Sequence, residues 1–149
     1  MTIYEQLRFG DRIESAHKAL LSISEEHASD TFREGGWTRK EILGHLIDSA
    51  LNNHQRFVRA ALDGSYEGPS YAQADWVNIH GYGSMPWASL LEHWRLQNRL
   101  LGEVIRHIPE ARLETPCRVG SDSPVTLRFL VEDYVQHLDY HLRQVLSTS

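Results

Sequence analysis

Four stretches of this 149-residue chain place apolar residues every three or four positions, and nothing of comparable length alternates apolar with polar residues. A period near 3.6 buries one face of a helix, whereas a half-buried strand needs a period of two, so the pattern selects an all-α fold. The first stretch, 3 to about 27, carries Ile3, Leu7, Ile13, Leu20 and Leu21 in one sector and ends in the polar run "SEEHASD". It is expected to form one amphipathic helix. The second begins on the strongest start signal in the chain: Thr38 and Glu41 have the spacing of a capping box, and Trp37 and Ile42 that of a hydrophobic staple. A helix is expected there over about 38 to 62. The third starts near Pro86, a good first-turn residue, and stops at Pro109; the last starts between Pro124 and Thr126 and runs to Leu146.

Gly64, Gly68 and Pro69 end the second helix and open a long aromatic-rich connection, 63 to 85, with a short helix expected around "AQADWVN". Connections of this length usually cover a site or cross the end of a bundle. Residues 110 to 125 are broken by prolines and glycine and leave room only for very short extended pieces. The expectation is a single domain over 1–149, a four-helix bundle with a long crossover between helices 2 and 3. Bundles of this kind build metal and cofactor sites from side chains on facing helices.

Composition narrows the function. The formal charge of −5 is made of interspersed acids and bases, which leaves no basic patch for nucleic acid and points to a small-molecule or protein partner. No apolar run approaches the roughly 20 residues that a membrane span needs, and the N-terminus lacks the pattern of a signal peptide, so a cytoplasmic protein is expected. The single cysteine, Cys117, excludes an intrachain disulfide and a Cys-rich zinc site. It lies in a Pro-flanked loop with no histidine close in sequence, a poor setting for a nucleophile.

Nine histidines are many for this length. His137 and His141 stand four apart in "YVQHLDYHLRQV", which puts both on one helix face within reach of one ion. By helical position His141 falls inside the apolar arc and His137 at its edge, so both reach the bundle interior; a hydrogen bond to a carbonyl or to Tyr134 would satisfy either one without a metal. A metal site needs at least a third ligand. Periodicity leaves His45, His54, His17, His80 and the carboxylates open for that role. His45 flanks the arc of Leu43, Leu46 and Ala50 in a polar stripe with Asp48, Ser49 and Asn52, which composition favours as a solvent-facing strip and function would favour as a pocket wall. His54 lies nearer the apolar arc.

The segments "GWTRKEILGHLIDS", "YAQADWVNIHGYGSMPWASLLEHW" and "TLRFLVEDYVQHLDYHLRQV" together resemble the DinB-like superfamily of small bacterial metalloproteins, which includes YfiT-type thiol transferases. The resemblance covers most of the chain. Its W-[ST]-x-x-E-x-x-x-H-L-x-D pattern reads through Trp37, Thr38, Glu41, His45, Leu46 and Asp48, and its H-x-x-x-H through His137 and His141. It therefore implies His45, His137 and His141 as ligands of a divalent Zn, Ni, Mn or Fe ion, an up-down-down-up bundle, and a homodimer. It also implies transfer or isomerisation with a low-molecular-weight thiol such as bacillithiol, mycothiol or glutathione.

An ion held by three histidines keeps positions open and lowers the pKa of a bound thiol or water, which suits a transferase or a metal-dependent hydrolase. Asp48, one turn from His45, is a candidate to orient the free ring nitrogen of that histidine. Asn52 and Arg56 continue the stripe towards a polar or anionic substrate, and Trp76 and Tyr82 are candidates for the pocket wall. The competing reading is a non-enzymatic metal-binding stress protein. A structural zinc site would need a fourth protein ligand, and no cysteine is available for it, which favours the open site.

Overall fold

The computed structural model describes residues 1–31 and 36–147. Its helices are α1 (Ile3–Gln6), α2 (Phe9–Leu20), α3 (Glu25–Ser29), α4 (Arg39–Asp63), α5 (Gln73–His80), α6 (Trp87–His107) and α7 (Leu127–Leu146). Helices α2, α4, α6 and α7 make the four-helix bundle. α4 packs on α6 and α7, and α2 packs on the same two, so α4 and α2 lie diagonally across the square. No described helix is long and apolar enough to cross a membrane.

α4 is the axis of the fold. Every residue from Ile42 to Ala50 is buried, polar ones included, whereas exposed residues recur from Leu51 onwards. Its start is fixed by the expected capping box: the Thr38 amide donates to Glu41 Oε1 at 3.0 Å and the Glu41 amide to Thr38 Oγ1 at 3.2 Å. Its end is an ordinary left-handed glycine, Gly64 at φ 74°.

Both ends of α4 are tied to α7, and these ties set the register between the two helices. At the start, the buried guanidinium of Arg39 donates to the carbonyls of Val145 and Ser147, each at 2.9 Å. At the far end lies a small sheet of β1 (Tyr66–Gly68), β2 (Pro116–Val119) and β3 (Val125–Thr126), in that order. β1 leaves α4 and pairs in parallel with β2, Tyr66 opposite Cys117; β2 pairs antiparallel with β3, which runs straight into α7. α4 and α7 are therefore antiparallel, and a residue near the start of α4 faces residues near the end of α7.

The N-terminal segment departs from the expectation of one helix over 3 to 27. It forms three short helices, with Arg8 in the left-handed region at φ 50° between α1 and α2. At 100° per residue, Ile3 and Phe9 on one straight helix would sit about 120° apart. The break lets both enter the core, where they are 4% and 1% exposed. A second break precedes α3, whose Ser24 caps the His27 amide at 3.0 Å. α3 then supplies what Pro86 cannot. Glu25 accepts from the first amide of α6, Trp87 N, at 2.7 Å and from Lys40 Nζ at 2.5 Å, joining α3, α4 and α6. Lys40 and the Trp87 amide hold the Glu25 carboxyl below its ordinary range.

The long connection contains α5 where the short helix is expected, and β2 is an extended piece of the kind expected within 110 to 125. β1 is not foreshadowed by the sequence. Its partner lies about fifty residues further on, and three residues carry no periodicity to read.

Candidate metal centre

The antiparallel register brings His45, six residues into α4, to His137 and His141 near the end of α7. One ligand atom from each of the three lies within 4.8 Å of the others, and this is the cluster among the described residues suited to an ion. His45 Nε2 and His137 Nε2 are 3.1 Å apart. The three rings meet edge-on, with centroids 5.0, 4.9 and 4.5 Å apart and interplanar angles of 79°, 81° and 76°. His54, His17 and His80, the other histidines that periodicity leaves open, are not part of the cluster.

The donor set fits a divalent ion. With metal–nitrogen bonds of about 2.1 Å, adjacent ligands are roughly 3.0 to 3.4 Å apart, and the His45–His137 separation matches. All three imidazoles are held neutral, the form that offers a lone pair. Burial first, then the neighbouring His137 and His141, push His45 down to about 4. Burial also lowers His137, with His141 adding to it, and lowers His141 against the opposing effect of Gln144.

Two residues that sequence reasoning did not single out for this role shape the site. Gln144 Oε1 lies 2.6 Å from His141 Nδ1. An amide oxygen only accepts, so Nδ1 carries the proton and Nε2 keeps its lone pair. The i,i+3 spacing on α7 was the available signal. Trp37, expected as half of a hydrophobic staple, lays its ring against His45 at a centroid distance of 5.2 Å. His45 Nδ1 is buried and has no hydrogen-bond partner among the described residues.

The polar stripe of α4 is the wall of an interior, not the solvent-facing strip that composition favours. His45, Asp48, Ser49 and Arg56 are 1%, 0%, 3% and 8% exposed, because α5 and the 3₁₀ turn Tyr82–Ser84 close over that face. Asp48 bonds outward to this cover and not to His45. Its Oδ1 accepts from the Tyr82 hydroxyl at 2.7 Å and lies 3.0 Å from His80 Nδ1. Burial raises the Asp48 carboxyl, while Tyr82 and His80 pull it the other way. Burial and the Asp48 carboxylate also raise the Tyr82 hydroxyl. Gly44 makes the arrangement sterically possible: a Cβ there would stand 2.0 Å from the Tyr82 ring.

A cleft of about 240 Å³ opens beside His137, between α4, α7 and the sheet. Its lining includes Arg56, Tyr71, Asp133 and Tyr134, with Val125 and Phe129 as an apolar wall. Of the residues expected to meet substrate, Arg56 lines this cleft. Asn52 turns its amide back to the Asp48 carbonyl at 2.9 Å and borders a different groove, and Asn53 takes the place beside the cleft. Trp76 packs on Tyr71 and His80, at 5.2 and 5.9 Å between centroids, and so supports the wall from behind. Cys117 is fully buried in β2 and donates to the Thr115 carbonyl. Burial raises its thiol, which keeps it protonated and unreactive.

Comparison with known proteins finds relatives in sequence and in fold. A relative from Oceanobacillus iheyensis, named as a candidate metal-dependent hydrolase, is 38% identical over 124 residues, covering 83% of this chain and 71% of that protein. YfiT from Bacillus subtilis, described as a candidate metal-dependent hydrolase with an unusual four-helix bundle topology, superposes with a TM-score of 0.83 at 16% identity, covering 95% of this chain and 82% of its own. A mycothiol-dependent maleylpyruvate isomerase superposes with a TM-score of 0.79 at 13% identity; this chain is covered fully and spans 62% of the isomerase. These two likenesses bear on the fold. The sequence profile of the DinB superfamily matches residues 9–145, and the chain belongs to that superfamily.

Proposed function

We propose that this chain is a metal-dependent enzyme in which His45, His137 and His141 hold a divalent Zn, Ni, Mn or Fe ion and the adjoining cleft takes a small-molecule substrate. The observation that carries the reading is the convergence of three neutral imidazoles, within 4.8 Å of one another, beside an open cleft. When bound, the ion supplies a lowered pKa for a thiol or water placed against it. The protein's own part is positional. Gln144 sets the His141 tautomer, Trp37 and burial hold the His45 ring, and the Tyr82–Asp48–His80 network fastens the cover over α4.

The first reading is S-transfer from a low-molecular-weight thiol of the bacillithiol, mycothiol or glutathione type. It is supported by the shared fold with a mycothiol-dependent enzyme and by the seclusion of Cys117, so that the thiol comes from outside the chain. The second reading, hydrolysis by an activated water, is favoured by the name of the 38% identical relative. Both readings place the protein in the cytoplasm, beside the thiol and metabolite pools, and the family resemblance extends to an up-down-down-up homodimer.

The test is to load metal-stripped protein with each of the four ions and supply an alkyl halide with and without thiol, and an ester panel without thiol. Metal-dependent thioether formation that is lost in His45→Ala supports transfer, and ester cleavage without thiol supports hydrolysis. Stoichiometric metal with neither activity indicates the metal-binding stress protein instead.

A further inference from the structure

Arg56 stands out in the interior of this protein. It is 8% exposed, yet its one hydrogen bond among the described residues runs from Nη2 to the Pro69 carbonyl at 3.2 Å. No described carboxylate forms an ion pair with it. The guanidinium lies 5.9 Å from the centroid of the Tyr71 ring, a contact that steadies it without neutralising it. The other cations buried in the fold are treated differently: Lys40 is paired with Glu25, and Arg39 donates to two carbonyls at the end of α7. A buried guanidinium has five N–H donors, and leaving them without an anion is costly unless a ligand supplies one.

Its position gives that cost a use. Arg56 lines the same cleft as His137, with Asn53 one turn earlier on α4 and Tyr71 above it. Arg56 follows His45 by eleven positions on α4, a rise of about 16 Å, and at about 100° per residue it returns to within roughly 20° of the same face of the helix. Between the two ends Val125, Phe129 and Leu130 give an apolar strip, and the lining also carries Asp122 and Asp133, neither of which forms an ion pair with Arg56.

We propose that Arg56, with Asn53 and Tyr71, is a carboxylate-binding subsite that orients an elongated ligand in the cleft, its anionic end at Arg56 and its reacting end at the histidines. The placement of the reacting end rests on the metal-dependent reading above; the subsite itself does not. The carboxylate belongs either to the thiol co-substrate or to the molecule it attacks.

The direct test uses metal-stripped protein, so that coordination to an ion contributes nothing. 4-Phenylbutyrate and its neutral amide, 4-phenylbutyramide, are titrated by calorimetry and by ligand-observed NMR into wild type, Arg56→Met, Arg56→Lys, Arg59→Met and His137→Ala, each checked for an unchanged melting temperature. The expected result is that wild type binds the carboxylate roughly tenfold tighter than the amide. Arg56→Met erases that preference, Arg56→Lys keeps part of it, and Arg59→Met and His137→Ala keep it. Arg59 is the informative control because it borders the neighbouring groove that Arg56 also touches. Equal binding of acid and amide by wild type overturns the subsite, as does an unchanged preference in Arg56→Met. Loss of preference in Arg59→Met alone overturns it too, by moving the anion to the other groove.

In the metal-loaded enzyme, a raised KM for glutathione alone in Arg56→Met assigns the carboxylate to the thiol, and a raised KM for a carboxylate-bearing electrophile alone assigns it to the electrophile. An inactive enzyme whose metal-free form still prefers the acid refutes the metal-dependent reading and leaves the subsite standing.

Discussion

α4 and α7 face each other across the histidine cluster but hold their ligands in different ways. His45 is 1% exposed, on a stretch of α4 buried on every side, and its Nδ1 has no described partner. Its place is set by packing against Trp37 and by the capped start of α4 two turns away. His137 and His141 are partly exposed on a helix with an ordinary apolar stripe, and His141 is set by a hydrogen bond to Gln144. His45 is fixed by its surroundings and His141 by local chemistry. His45 is the secluded side of the site, and His137, which lines the cleft, is its open side.

The largest expected effect removes the fixed ligand. His45→Ala leaves two imidazoles on one helix, which rarely hold a first-row ion firmly, and affinity should fall at least roughly a hundredfold in a chelator competition assay. Wild-type affinity in this variant would break the comparison at its root, since α4 would then contribute nothing to the site.

Acid should expose the same contrast in metal-free protein. His45 ordinarily titrates near 6.5 and is pushed down to about 4 by burial, so the unfolded chain takes up a proton between those values that the folded chain refuses. Stability is therefore full above about 6.5 and declines as pH falls towards about 4, by up to roughly 3 kcal/mol for this residue. His137 and His141 shift in the same direction. Urea midpoints at pH 7 and pH 4.5 read this, and His45→Ala should lose part of the slope. Identical slopes would mean that α4 does not seclude His45.

Much of this was legible in the sequence, and the gaps have physical causes. The capping box, the helical stripes of α4, α6 and α7 and the i,i+4 pair are local signals, and each appears in the structure where its spacing put it. The selection of His45 over His54 was not local. It depends on which face of α4 the end of α7 covers, and that is settled by Arg39 reaching Val145 and by a three-residue strand pairing some fifty positions away. A second nonlocal cover, α5 with the 3₁₀ turn Tyr82–Ser84, explains why Asp48 and Ser49 read as a solvent strip yet are buried. The break at Arg8 had no turn residue to announce it, and the demand to bury both Ile3 and Phe9 overrode propensity.

The cover itself offers the next test. Gly44→Ala places a methyl 2.0 Å from the Tyr82 ring, one turn before the Asp48 that Tyr82 bonds. Helix propensity alone would favour alanine by up to ~1 kcal/mol. Overpacking in a close-packed interior costs roughly 1 to 3 kcal/mol and should win, lowering the melting temperature by several degrees. A stabilised variant would show that the Tyr82 ring gives way freely, and that the close packing around α4 is not maintained from this side.

The smallest expected effect separates the two modes of support most cleanly. Gln144→Leu removes the acceptor that keeps the proton on His141 Nδ1, without touching α4 or the apolar stripe of α7, because Gln144 is only partly buried. The ring is then free to adopt either tautomer and to rotate, and metal affinity should fall roughly tenfold with little change in folding stability. Gln144→Glu keeps an acceptor and adds negative charge beside the ring, so affinity should be retained or raised. In ¹⁵N NMR of the metal-free protein, the Nδ1–H signal of His141 should vanish from the slow tautomeric state in Gln144→Leu, while the His45 signals stay put. If His45 responds as strongly as His141, the two helices do not support their ligands independently, and the cluster behaves as a single unit.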